Sequence, residues 1–300
     1  MRLKPKHFYI AIMAAVIIWA GNYTYFEAAQ LEKPVFLDHY YEMDFDSARF
    51  LAFYFITNKF DDTEIQSVEL DGVEAYNYNE PDRDSQEKVV QEFQHQNLKT
   101  ILVYLPSVPA EKYKNGTWQF ENITVHYENG SRQTVPIGMV KINAQPRTIS
   151  TKAFEFKGSG SNQQRDVLKV RIIDNLSIKE ISSPFLSLEN DTKIKVHHIH
   201  KQSENIQNPL RILLKTEWNK VPGKDKNDVL YPMQMKKNEW LGLYVQKGKK
   251  EMAFQKYELK IEGTTEDGEN VESFMYVQFS PYLSEKDVQS IIALKSRKTK

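Results

Sequence analysis

Three histidines within four positions, His197, His198 and His200, form the densest group of potential metal ligands or proton carriers in the chain. Side chains alternate along a strand, so His198 and His200 share one face and His197 points to the other. Two imidazoles at i and i+2 can begin a divalent-metal site, but a third ligand has to arrive from elsewhere, such as His126 or a carboxylate. The simpler reading is the polar face of an antiparallel strand. The sequence therefore assigns no metal and implies no cofactor, and His198 and His200 stand only as a candidate ligand pair.

Other chemistries have less support. There is no HExxH pair and no GxSxG elbow, and with no cysteine in the chain thiolate nucleophiles, thiolate metal sites and disulfides are excluded. Asp44/Asp46 and Asp82/Asp84 are spaced to share a strand face, yet solvated carboxylates are poor general acids. An extracytoplasmic hydrolase or metal-dependent module is the alternative to a protein without catalytic activity.

Charge is distributed unevenly beneath a formal net charge of zero. Residues 27 to 100 hold 17 Asp/Glu against 6 Lys/Arg, a net of −11, whereas residues 195 to 260 hold 7 against 14, a net of +7. Lysines surround Pro222-Gly223 and Gly248 and precede Trp240. The partner-binding candidates are accordingly Lys224, Lys226, Lys236, Lys237, Lys249 and Lys250, and the expected partner is an anionic polymer or an acidic protein. None of these loops has the strand, glycine-rich turn and helix of a phosphate-binding motif, and nucleic acid is not an expected partner. Tyr40, Tyr41, Tyr76 and Tyr78 include rings expected at the surface, while Trp118 and Trp240 fall in strands and read as core.

The elements that must position these residues begin with an apolar run. From Phe8 to Phe26 the chain reads FYIAIMAAVIIWAGNYTYF, 19 residues that as a helix measure about 28 Å, close to the thickness of a bilayer core. Arg2, Lys4 and Lys6 precede it, Trp19, Tyr23 and Tyr25 gather at its far end, and Glu27 and Glu32 follow. The positive-inside rule then puts the N-terminus in the cytoplasm and the remainder outside, as a single-pass protein of the cell membrane touching lipid through residues 8–26. A cleaved signal peptide is the competing reading. Ile18 before Ala20 and Glu27 before Ala29 lack the small pair that signal peptidase reads. Ala11 and Ala15 offer small residues for helix approach, so an accessory subunit of a membrane complex, with a partner in that complex, is a further alternative.

Beyond the anchor, a 40% hydrophobic fraction with 12% aromatic residues is ample for a packed core, and a mean hydropathy of −0.58 gives a polar surface. An outer domain without disulfides is the pattern of a bacterial host. Short alternating runs separated by Asp71-Gly72, Asn129-Gly130 and Asp267-Gly268 predict hairpins. A phase change near Glu121-Asn122 predicts a bulge. Further strands are expected at 185–188 and 210–216, and a surface helix over 82–96, where Val89, Val90 and Phe93 stand at helical spacing. The fold class is mainly β: an N-terminal transmembrane helix followed by two antiparallel β-sandwich-like domains and a short C-terminal helix. The expected divisions are a basic tail at 1–7, the anchor at 8–26, a juxtamembrane linker at 27–34, an acidic β-rich domain at 35–155, a linker or long loop at 156–164, a basic β-rich domain at 165–282, and the C-terminal helix and basic tail at 283–300. Val288, Ile291 and Ile292 are expected to pack on the second domain, leaving the terminal basic residues wet.

Overall fold

The computed structural model describes residues 5–61, 63–78, 87–146, 152–162, 164–189, 192–200, 215–248 and 252–298. It is mostly β, with an apolar helix near the N-terminus and a short helix near the C-terminus. Helix α1 spans Pro5–Ala29, and within it Phe8–Ala29 is long and apolar enough to cross a membrane; residues 8–25 are exposed, while Phe26 and Ala29 at the end are half-buried, with the Tyr25 and Phe26 rings against His95. The helix runs three residues past the predicted anchor. Its end is held by the body: Gln96 donates to the Ala29 carbonyl at 2.6 Å, and two residues further on Leu31 forms a reciprocal pair with Asn58, both bonds 2.8 Å.

The first half supplies strands β1 (Val35–Phe36), β2 (His39–Asp44), β3 (Phe50–Asn58), β4 (Ile65–Leu70) and β5 (Val73–Asn77). It continues with β6 (Glu87–Glu92), β7 (Gln96–Tyr104), β8 (Thr117–Tyr127) and β9 (Arg132–Asn143), and helix α2 (Phe45–Ala48) lies between β2 and β3. The second half supplies β10 (Phe154–Ser161), β11 (Arg165–Ile172), β12 (Leu176–Ser182), helix α3 (Leu186–Glu189) and β13 (Lys193–Ile199). After it come β14 (Lys224–Asp225), β15 (Met233–Met235), β16 (Trp240–Gln246), β17 (Phe254–Thr265), β18 (Asn270–Phe279) and helix α4 (Glu285–Lys298).

These strands form two sheets. The larger runs β1-β3-β7-β5-β4-β8-β9-β2-β17-β12-β15, with β6 also on β7 and β18 also on β17; the smaller runs β10-β11-β16-β13-β14. Inward-facing side chains make two main cores, one from Phe36 through Ile142 and one from Ala153 through Val277. Strand β2 joins them. It lies parallel to β9 on one side and to β17 on the other, in an otherwise antiparallel sheet. The approach is close at Gly138, opposite His39: its φ is +84°, and a Cβ there would meet the His39 carbonyl oxygen at 2.7 Å, so glycine is required twice over.

Several local expectations hold for visible reasons. Asp71 and Gly72 both take positive φ, the conformation a two-residue hairpin turn needs. The β8–β9 hairpin forms, with its irregularity between Phe120 and Asn122 where the phase change was read. Trp118 and Trp240 are buried.

Others are corrected. The stretch 87–92 is a strand on β7 rather than a helix, because a bulge between Val89 and Gln91 interrupts the alternation and leaves spacing that imitates a helical turn. Residues 186–189 are a helical turn, with Phe185 and Leu188 buried three apart and Leu186 exposed. The glycine-rich 156–161 is not a linker but the end of β10, paired with β11 around a bulge at Phe156/Gly158; its polar composition reflects exposed side chains. Asn162 closes that hairpin by accepting from the backbone of Gln164 and Arg165 at 2.8 and 2.7 Å. Tyr41 is buried, its hydroxyl donating to the Ala52 carbonyl. Helix α4 packs on the first core, not the second: Leu283, Val288 and Ile291 join the cluster of Phe36 and Val140. Lys295, expected in solvent, is ion-paired with Asp38. The expected strand at 210–216 falls largely outside the described residues.

Candidate functional site

The candidate ligands owe their positions to register. Along β13 and β16 the rows Ile194-Val196 and Val245-Leu243-Leu241 are buried in the second core, and the pairing Val196↔Leu243, His198↔Leu241 continues that same face outward. Past Leu241 the core ends. The face then turns polar, and the next antiparallel step places His200 beside Glu239. His198 Nε2 lies 2.7 Å from Glu239 Oε2 and His200 Nδ1 lies 2.9 Å from Glu239 Oε1, so one carboxylate engages both imidazoles, each through its own oxygen. The two imidazole rings are 4.0 Å apart between centroids.

Glu239 is anchored by the turn that precedes β16. Its Oε2 accepts from the Lys236 backbone at 2.7 Å, and its own N–H and carbonyl bond Lys236 O and Ile172 N at 3.0 and 2.9 Å. Asn238 takes a left-handed φ of 70° and donates to the Ile172 carbonyl, while Lys237 N–H is held by Asn175 Oδ1 at 2.8 Å. Partial burial opposes the charge on Glu239, but the Lys236 N–H and the two imidazoles outweigh it and hold the carboxyl down to about 2. The cluster opens to solvent on one side: the side chain of His200 is 73% exposed, against 23% for His198 and 12% for Glu239.

His197 points the other way, as the alternation predicts. It approaches the Tyr244 hydroxyl at 3.4 Å, and burial, with Lys169 and His198 nearby, holds its basicity below the ordinary range. His126 sits on β8 of the other sheet, 3.8 Å from Glu69, and contributes nothing to the cluster. The member of the cluster that the sequence left unnamed is Glu239, 39 residues from His200 along the chain. Its only local sign is a carboxylate at the mouth of a strand, just before Trp240.

The lysine candidates fall on separate elements. Lys224 and Lys226 lie at the β14 edge and the helical turn after it; Lys236 and Lys237 lie in the turn before β16. Lys249 and Lys250 lie outside the described residues. Lys226 also lines a cleft of about 320 Å³ with Trp218, Lys193, Thr192, Asp225 and Asn227. Trp218 there stands under two cations, Arg165 at 5.6 Å and Lys195 at 5.4 Å from its ring centre. Part of the basic excess is internal: Lys195 donates to the carbonyls of Trp218 and Val221, Lys247 is buried against Asp166, and Lys260 bridges Glu262 and Glu272. Of the paired carboxylates, Asp44 caps α2 by accepting from Ser47 N–H at 2.8 Å, a structural task. Asp82 and Asp84 lie outside the described residues.

No protein-family model and no curated protein matches the chain. Among solved structures it is similar to the ectodomain of human desmocollin-1, with 11% identity over 81% of this chain and 46% of that one and a TM-score of 0.15. The chain thus spans less than half of that ectodomain, and a superposition this weak carries no functional weight.

Proposed function

We propose that this protein is a membrane-anchored binding, structural or regulatory protein without catalytic activity, whose β-rich body stands outside the cell membrane. The observation that carries the reading is α1: residues 8–25 are exposed, yet Phe26 and Ala29 at its end are half-buried, Gln96 of the folded body bonds Ala29, and Asn58 bonds Leu31 just beyond it. An apolar helix of that length bare in water is unfavourable by many kcal/mol, and a bilayer relieves it. The attachment of residues 29 and 31 to the body supports retention of the segment over its removal. Arg2, Lys4 and Lys6 before the apolar run Phe8–Phe26 and Glu27 and Glu32 after it favour a cytoplasmic N-terminus. The exposed lysines and the Trp218 cleft give the body a surface suited to an anionic polymer or an acidic protein.

Protease protection tests the topology. Intact cells treated with protease should lose a C-terminal epitope and keep an N-terminal one, with the chain in the membrane fraction after alkaline wash; protection of the C-terminal epitope, or release into the wash, overturns the reading. For the surface, reversing Lys224, Lys226, Lys236, Lys237, Lys249 and Lys250 to Glu should weaken capture of a recovered partner and remove its salt dependence. An unchanged affinity would reject these residues as the binding site.

A further inference from the structure

We infer that His198, His200 and Glu239 form a site for one divalent transition-metal ion of the zinc class, with an open coordination position toward solvent. The candidate ligand atoms all lie within 4.8 Å of one another. A tetrahedral zinc ion with ligand bonds of about 2.0–2.1 Å holds its donors about 3.3 Å apart. The nitrogen–oxygen separations here, 2.7 and 2.9 Å, are slightly shorter because a hydrogen bond joins each imidazole to the carboxylate. Replacing those shared protons by a cation asks for about half an ångström more between each imidazole and the carboxylate, a small torsional adjustment at His198 and one the exposed His200 makes freely.

Three features distinguish the cluster from ordinary surface polarity. His198 sits on β13, and His200 and Glu239 each stand one residue beyond the ends of β13 and β16, where the continuous ladder from Lys193↔Gln246 to Ile199↔Trp240 stops, so the paired strands set the spacing of the three donors. The carboxylate is oriented by the Lys236 N–H, an outer contact of the kind that fixes metal ligands. Finally, the apolar row ending at Leu241 walls one side, while His200 leaves the other open for a water or a donor atom brought by a partner. Two imidazoles and one carboxylate select zinc, copper or nickel over calcium or magnesium, which require oxygen-rich shells. No ion is needed to hold the strands together, since their ladder is complete without one.

The experiment uses the full chain, free of any polyhistidine tag, stripped of metal and kept in detergent micelles. Calorimetric titration with zinc should give one equivalent of saturable binding unaffected by excess calcium or magnesium. Cobalt(II) should develop visible ligand-field bands that zinc abolishes. Glu239→Gln and His198→Ala should each weaken zinc binding by at least about tenfold, since even outer-shell losses reach that size, while His126→Ala should not. Absence of saturable zinc binding, displacement by calcium, or wild-type affinity in the ligand variants would overturn the site. If circular dichroism shows that Glu239→Gln or His198→Ala is misfolded, His200→Ala at the exposed position decides instead. None of these outcomes depends on which side of a membrane the body occupies.

Discussion

Lys247 and Asp166 leave water together. Their side chains are 1% and 4% exposed and 3.0 Å apart, with Lys247 also donating to the Asn162 and Gln278 carbonyls and Ser161 donating to Asp166. Burial lowers the lysine and raises the aspartic acid, and their mutual attraction opposes both shifts without cancelling them. Removing one partner strands the other, so Lys247→Met should destabilise the protein by about 3–5 kcal/mol in urea unfolding, and Lys247→Met with Asp166→Leu should recover much of that loss. His39 poses a different electrostatic problem. It is fully buried, its Nε2 accepts from the Tyr54 N–H, and burial with Lys295 nearby pushes its pKa down from 6.5 to about 3. The folded state therefore refuses a proton that the unfolded state accepts below 6.5. Its contribution is complete above that value and is lost progressively as pH falls toward 3. Between pH 6.5 and about 5, wild type should lose about 1.5 kcal/mol more stability than His39→Gln, measured as the difference in urea midpoints.

At the scale of elements, α4 shows how a terminal helix serves a distant core. Ser284 caps it, exchanging bonds with Asp287 in both directions, and the buried stripe of Val288 and Ile291 returns to the first half of the chain. Gln91 fastens the entry by bonding both the N–H and the carbonyl of Leu283, and Lys295 fastens the exit at Asp38. Ile291→Ala should cost about 2–4 kcal/mol. Because the helix packs in the first core, and it and Leu283 just before it bond Gln96 of β7 and Gln91 of β6, amide exchange in those strands should accelerate in this variant before exchange in β11 or β16 does. Equal acceleration everywhere would mean that α4 belongs to one global unfolding unit rather than to the first core.

At the scale of the whole molecule, β2 is the shared member of both halves, with parallel neighbours on either side. Gly138→Ala forces a Cβ into the His39 backbone at a left-handed position and should cost at least about 1–3 kcal/mol, loosening the β2–β9 ladder first; a neutral substitution would show that the two strands can separate without loss. The other molecular-scale feature is the bare helix. Val16→Lys and Ile17→Lys near its middle each add about 2.5–3.5 kcal/mol to the insertion free energy, so the double variant should move from the membrane fraction to the soluble or aggregated fraction. Retention in the membrane would mean that something other than α1 holds the chain there.

The amino-acid sequence by itself determined the features set by neighbours along the chain. These are the apolar helix from Phe8, the hairpin turns at Asp71-Gly72 and Asn129-Gly130, the bulge after Phe120, and the common face of His198 and His200. Each follows from a short period or from the left-handed conformations that few residues accept. Tertiary structure alone decided that Glu239 meets both histidines, that α4 crosses to the first core, that β2 joins the two halves in parallel, and that several lysines of the basic half are already paired. Those outcomes depend on which strand lies beside which, and in what register. A local pattern specifies only which face of an element is apolar, and many partners can cover such a face equally well. The choice among them is made by the packing of the whole chain.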